Sequence, residues 1–341
     1  MNMGGPRSLD EVRPFLFRLF RDPDILPLPR WLRWLSWPIA ALIAFFRAPK
    51  SSEAYRAIGG GSPQLPTNLK VADKLQDALA EQIHPESVKV AMRYWHPFTD
   101  DALDQLEAID VDKIVALPMY PHYSTTTTMS SYRELHRRLT NRRKRWSPDI
   151  VPVLDYHLDS NYLSCVESRT RAAIDRLKFP VEQCLVLYSA HSIPADRVRD
   201  LDDPYPQQIE SMVAALSERL PAGLRYRLAY QSRVGPVEWI GPSITEVIPQ
   251  LAAEAVMALV VVPISFVSEH VETLEEIDLQ YRELAEKHGI RQFERVDTVQ
   301  EDDDFIAVLK NLTLDALVEA APKKCRCEKS SECICLGSVA A

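Results

Sequence analysis

His270, Glu272 and Glu276 stand in the stretch PISFVSEHVETLEEID (263–278), where an apolar run gives way to titratable side chains. His270 and Glu272 are two positions apart, and Glu276 falls one helical turn beyond Glu272 on the same face. A deprotonating base and an acidic conduit would be stacked there, at the start of a helix that follows a strand. The same spacing also describes a solvated first helical turn, since acids in that turn favour the helix dipole. A continuous acidic stripe would need a locally widened turn, because side chains four apart drift around an ideal helix. One turn further on stands Gln280, which ends the run of acids.

Such groups need rigid elements behind them. Apolar runs predict strands at 88–93, 113–118, 150–154, 183–189, 224–230 and 256–263. Stretches of helical period lie between them at 71–82, 99–108, 161–177, 206–220 and 243–253. Strand then helix, repeated, predicts an α/β fold of parallel sheets covered on both faces. Ligands in such sheets bind beyond the carboxyl ends of the strands, and the loops YPHYS, AHSIP, QSRVGP and SFVSEH all follow predicted strands, so they should converge on one rim. With 341 residues, two domains are expected. The division is placed as 1–158, carrying an apolar lip at about 25–48, then 159–321, then a cysteine-rich tail at 322–341. A parallel-sheet domain should open on a buried strand leading into NMGGP, yet only Met1 precedes Asn2, so the natural protein is expected to begin some residues upstream.

A net charge of -8 and a pI near 5.6 argue against a nucleic-acid partner. The basic run at 137–145 reads as a solvated helix face, or else as a contact for a polyanion or anionic lipid. No secretory signal opens the chain, so a cytoplasmic location is expected. The segment WLRWLSWPIAALIAFF (31–46) contains Arg33 and Pro38 and falls short of the roughly 20 apolar residues that a spanning helix needs. It reads as an interfacial patch dipping into the inner face of a membrane, the alternative being a core helix. The run Gly59-Gly60-Gly61 lets backbone approach something closely. A phosphate cradle fits poorly there, because no Lys-Ser or Lys-Thr follows.

The blocks NMGGP (2–6), YRAIGGGSPQLPTN (55–68), LPMYPHYSTTTTMSSY (117–132), YSAHSIP (188–194), YQSRVGPVEWIGPS (230–243) and the stretch at 263–278 occur in an order and spacing that resemble those of ferrochelatases. These enzymes insert ferrous iron into protoporphyrin IX as the terminal step of haem synthesis. The resemblance covers nearly the whole chain, and it implies two Rossmann-like, chelatase-like domains with an active-site cleft between them. It puts proton removal on His191, a task suited to an imidazole. Glu272 would face the ring beside it, stabilising the imidazolium, relaying protons or giving ferrous iron an oxygen ligand. His270 would orient Glu272 or connect it to Glu276. Ring grip would come from Met3, Tyr123, Trp239 and Phe266, with Arg93 and Tyr94 near the pocket and Ser124 bonding a propionate or backbone. An apolar lip favours protoporphyrin over the four-propionate coproporphyrin. The other readings are a chelatase for coproporphyrin or another tetrapyrrole and metal, and a non-catalytic tetrapyrrole-binding iron-sulfur sensor. A homodimer is compatible with the apolar surface content.

Cys325, Cys327, Cys333 and Cys335 form C-x-C-x5-C-x-C, while Cys165 and Cys184 stand alone. Four thiols so close suggest one metal centre in a reducing compartment, and both zinc and an iron-sulfur cluster accept four thiolates. The family resemblance favours a 2Fe-2S cluster. The position that supplies a cysteine ligand in animal relatives holds Thr125, so all four ligands are expected from the tail. Met129 also departs from the family, which has glycine there.

Overall fold

The computed structural model describes residues 1–318 apart from 27, 143, 144, 234 and 236. Two parallel sheets form. Strands β1 (Lys113–Ala116) and β2 (Asp149–Pro152) make the first, with Ile114 opposite Ile150. The second holds β3 (Cys184–His191), β4 (Arg225–Gln231), β5 (Ala258–Pro263) and β6 (Gln292–Arg295) in the order β4-β3-β5-β6, all parallel. The helices are α1 (Val12–Arg21), α2 (Ser36–Ala57), α3 (Gln64–Ala78), α4 (Thr99–Ala108), α5 (Thr128–Thr140), α6 (Ser160–Ile174), α7 (Ala195–Leu201), α8 (Tyr205–Ser217), α9 (Ile244–Ala253), α10 (Arg282–Lys287) and α11 (Asp303–Val318). A π-helix spans Glu272–Tyr281.

β3 and β5 are central strands because their apolar runs do not alternate with polar residues, so both faces can be buried. Val186, Tyr188, Val260 and Val262 pack beneath α6, α8 and α11. The intervening residues Leu185, Leu187, Leu259 and Val261 pack on α9, α10 and the π-helix. Local signals start two of these helices: the Asp159 carboxylate accepts from the amides of Asn161 and Tyr162, and Ser243 with Glu246 forms a capping box ahead of α9.

Three expectations change. The run at 88–93 is not a strand; only Met92 bridges, to Asn2 and to Phe98. A strand needs a partner along its length, and residues 1–3 bond the segment only from Ala91 to Tyr94. The edge strand β6 (QFER) went unpredicted because only Phe293 in it is buried. Finally, α11, a helix not predicted from sequence and lying within the 159–321 unit, packs on α3, β1 and β2 as well as on α6, so it also covers the first sheet.

Among the described residues no helix is long and apolar enough to cross a membrane. α2 turns Ala40 and Ala44 inward and leaves Trp37, Leu42, Phe45 and Phe46 exposed, next to exposed Trp31 and Trp34. The segment therefore forms a surface patch, and a core helix is not what folds. The basic run is largely neutralised: Arg137 and Arg138 bond Glu134, Arg142 reaches Asp100, Asp104 and Glu107, and Arg145 reaches Glu107. The glycine run approaches backbone as expected, for a Cβ on Gly61 would lie 2.3 Å from the Arg7 carbonyl oxygen.

Candidate active site

Strand ends supply the site. β3 terminates at His191, whose carbonyl accepts from the Tyr205 hydroxyl at 2.9 Å and whose amide donates to Ser265 Oγ at 3.1 Å. The imidazole Nδ1 lies 2.5 Å from the Ser192 carbonyl oxygen, so Nδ1 carries a proton and Nε2 is aimed outward. Nε2 sits 3.6 Å from Glu272 Oε1, and about a third of each side chain remains accessible (33% and 31%). The other oxygen of Glu272 lies 3.2 Å from His270 Nε2, and His270 Nδ1 lies 3.2 Å from the Ser268 carbonyl oxygen. Glu272 is thus held between two imidazoles, and Phe266 stands edge-on to His270 with ring centroids 4.4 Å apart.

The loop that delivers these groups is anchored from behind. Buried Glu269 accepts from Arg295 Nη1 at 2.9 Å and from the Thr298 amide at 2.9 Å, and Thr273 Oγ1 closes on its other oxygen at 2.5 Å. The widened turn required for an acidic stripe is present as the π-helix, in which the Tyr281 hydroxyl bonds Glu276 at 2.5 Å, five residues apart. Glu276 is saturated: it also accepts from the Ser232 amide at 2.9 Å, from Ser232 Oγ and from Gln231 Nε2 at 3.1 Å. Gln280 turns away to Glu275.

Electrostatics follow from this packing. Burial alone would lower the His191 imidazole, but the Glu272 carboxylate outweighs it and raises the group from 6.5 to about 9. Burial would raise Glu272, yet His191 and then His270 hold it well below the ordinary 4.5. At neutral pH the pair is an imidazolium against a carboxylate. The buried Tyr205 phenol is pushed up by desolvation, with the Glu272 charge among lesser causes, and stays protonated.

The remaining sequence candidates divide. Met3 packs in the same apolar cluster as Val271, the residue before Glu272, and as Tyr55, whose phenol is raised by burial and then by the Glu272 charge. Trp239 is half-buried on the loop that bridges Pro194, three residues past His191. Ser124 is buried; its hydroxyl donates to Asp203 at 3.0 Å and accepts from the Thr126 amide at 3.2 Å, the backbone bond expected of it, and the Tyr123 amide donates to Gln208. Asp203 also accepts from the Tyr205 amide at 3.0 Å, which ties the YPHYS loop to the His191 support. Arg93 and Tyr94 both spend their polar atoms on buried Asp22, at 2.6 and 2.7 Å. A propionate at Arg93 would have to compete with that carboxylate. The sequence reading passed over Tyr205, Ser265, Gln231, Ser232 and Tyr55; the QSR, YRAIGGG and 263–278 blocks contain four of them, whereas Tyr205 carries no local signal.

Cys165 and Cys184 are buried, and burial raises both thiols. Among the described residues no three His, Cys, Asp or Glu side chains are grouped to hold a metal ion. Cys325, Cys327, Cys333 and Cys335 lie outside the described residues.

The family model for ferrochelatase matches residues 1–317. The ferrochelatase of Nostoc sp. (strain PCC 7120) is 42% identical over 321 residues, which are 93% of this chain and 81% of that protein. The chloroplastic ferrochelatase-2 of Cucumis sativus is 40% identical over 325 residues, 94% of this chain but 62% of that longer protein. Among solved structures, SirB from Bacillus subtilis with Fe3+ superposes with a TM-score of 0.52 at 12% identity, over 72% of this chain and 88% of that one. CbiX, described as the terminal enzyme of sirohaem biosynthesis in denitrifying bacteria, gives 0.50 at 13% identity over 74% and 93%. At such identities these two establish the fold alone, a parallel-sheet chelatase fold.

Proposed function

The chain belongs to the ferrochelatase family of metal-inserting enzymes, and from that premise we propose that His191 and Glu272 form the proton-handling centre at which ferrous iron enters protoporphyrin IX to give protohaem. The observation that carries this is the 3.6 Å pairing of the two, half-exposed at the carboxyl ends of β3 and β5. Insertion releases two pyrrole protons for each iron bound. An imidazole that already holds a proton cannot accept one, so the resting pair must first discharge. A ferrous ion near Glu272 would favour this, because added positive charge lowers the imidazole and draws the carboxylate away. The proton can leave by way of Glu272 toward His270. Neutral His191 then takes one pyrrole proton, passes it along the same Glu272–His270 route and takes the second, with Glu272 stabilising the imidazolium each time.

Glu276 positions rather than carries. Four hydrogen bonds occupy its oxygens, so it fixes the turn at Gln231–Ser232 against the π-helix. Phe266, Met3 and Trp239 would grip the ring, with Tyr123, Ser124, Arg93 and Tyr94 forming the wall behind. The cleft would lie between units 1–158 and 159–321.

Two further assignments belong to the same reading. The exposed tryptophans and phenylalanines of 31–46 dip into the inner leaflet at the cytoplasmic face, where apolar protoporphyrin dissolves. The four tail cysteines hold a 2Fe-2S cluster, which would contribute stability or sensing through thiolate ligation, and zinc is the second occupant. Changing Cys333 to Ser should bleach the visible absorbance; unchanged absorbance removes that ligand set. For the central proposal, purified protein is mixed anaerobically with ferrous iron and either protoporphyrin or coproporphyrin, and the porphyrin spectrum is followed. Protoporphyrin should turn over faster, and His191→Ala should stop insertion while porphyrin still binds. Full activity in that variant removes the assigned base.

A further inference from the structure

Three arginines converge on the turn between α1 and the apolar lip, and two of them are matched by acids. Arg93 binds the Asp22 carboxylate at 2.6 Å, with Glu134 at 3.9 Å behind it. Arg133 binds the Asp24 carboxylate at 2.7 Å. The third, Arg197, donates Nη2 to the Asp24 backbone carbonyl at 2.9 Å and, among the described residues, forms no ion pair. A guanidinium carries its N–H donors in a planar fork, so most of those on Arg197 have no partner. The side chain is also half-buried, and a cation partly out of water with no acid holding it is unfavourable to keep. That combination marks a group set for an anion that arrives with the ligand.

Its position points the same way. Arg197 lies on α7, just past the His191 loop, and the start of that helix is tied to the loop of Trp239: the Ala195 amide donates to the Glu238 carbonyl at 2.9 Å, and Pro194 bridges Trp239. The Arg197 carbonyl accepts from the Asp203 amide at 3.3 Å, and Asp203 in turn binds Ser124 and Thr125 beside Tyr123. The residue thus stands where the His191, Trp239 and Tyr123 loops meet the base of the lip, and its side chain reaches from unit 159–321 to unit 1–158.

We infer that Arg197 takes a propionate carboxylate of the porphyrin and so sets the acidic edge of the ring toward α7 and the lip turn. This rests on the proposed function and adds to it the residue that reads the charge of the ligand. A propionate at Arg93 must displace Asp22, which is buried and also accepts from the Tyr94 hydroxyl, whereas at Arg197 no charged group has to leave. A carboxylate can accept two parallel bonds from one guanidinium, which would fix its direction as well as its place.

The test measures equilibrium uptake, without iron, of protoporphyrin IX and of its dimethyl ester, by fluorescence quenching in a non-ionic detergent that brings no lipid phosphate. Arg197→Met should weaken uptake of the free acid by about tenfold and leave that of the ester as it was. In turnover the KM for protoporphyrin should rise while kcat is kept. Arg197→Lys, which retains the charge without the fork, should recover part of the preference for the acid. Equal weakening of acid and ester would mean that the residue only holds the lip turn, and no weakening of either would mean that the carboxylates lie elsewhere; each overturns the inference. So would a loss confined to binding of phosphatidylglycerol vesicles, which would make Arg197 a headgroup contact. Turnover by His191→Ala would remove the assigned base and leave the preference for the acid standing, whereas no uptake of either porphyrin by the unaltered chain would overturn both.

Discussion

Two clusters in this molecule mix bases with carboxylates, and they are put together differently. Between α4 and α5, Arg142 binds Asp100, Asp104 and Glu107, with Asp104 still 65% exposed. On the rim of the second sheet, His191, His270, Glu272 and Glu276 are threaded through backbone contacts at both ends. A guanidinium stays charged at any working pH, so the first cluster can only hold helices together. An imidazole titrates in reach of neutrality, so the second can move protons. What separates a strut from a group able to carry protons here is the choice of cation and the anchoring of its partners, since the acids are alike.

The sharpest way to break the comparison is to remove the titrating group. His191→Ala should cut the insertion rate by about 10²–10⁴-fold with porphyrin binding retained, as read by anaerobic turnover and by fluorescence quenching. Next comes Glu272→Gln. A rate that needs neutral imidazole should rise with pH up to about 9 in the wild type. Without the carboxylate, burial lowers His191 against only the Ser192 carbonyl and the Glu276 charge, so the rising limb of kcat/KM should move to the acid side of its wild-type position. The same variant reports on stability. His191 is held above 6.5, so its share of the pairing is complete below that value and is lost as pH climbs through about 9. Glu272 is held below 4.5, so its share is complete above that value and is lost in stronger acid. The gap in unfolding midpoint between wild type and Glu272→Gln should therefore be widest between 4.5 and 6.5 and should shrink toward pH 9.

Glu276→Gln should have a smaller effect on rate, about tenfold by loss of alignment, and the shape of the pH profile should persist because the titrating pair is intact. A profile that loses its limb would make Glu276 a carrier instead. The smallest change in rate belongs to Arg142→Met. It should cost about 1–3 kcal/mol in urea unfolding and leave kcat as it was; a loss of turnover matching that of Glu276→Gln would erase the distinction between the two clusters.

Much of this was legible in residue order. β3 and β5 announce themselves as unbroken apolar runs, and the motif loops sit at their carboxyl ends as the parallel-sheet rule requires. The π-helix could be foreseen from Glu272 and Glu276, because a stripe of acids needs a wider turn. What escaped are contacts made to backbone, which no side-chain pattern encodes: the Ser192 carbonyl sets the His191 tautomer, and the Tyr205 and Ser265 hydroxyls brace its main chain. The supposed strand at 88–93 failed for a related reason, since a strand is a relation between two chains and only one of them could be read there. Arg93 illustrates the remaining gap. The family resemblance put it near the pocket, and Asp22, which it binds, lies 71 residues away.

One consequence of the Ser192 and Glu272 contacts concerns the end of the reaction. Iron at the centre of a finished haem seeks an axial donor, and a bare imidazole nitrogen would clasp it. With Nδ1 tied to a carbonyl and Nε2 protonated against a carboxylate, the ring has no lone pair to offer. On the proposed function, the arrangement that takes up the pyrrole protons would also let the coloured product go.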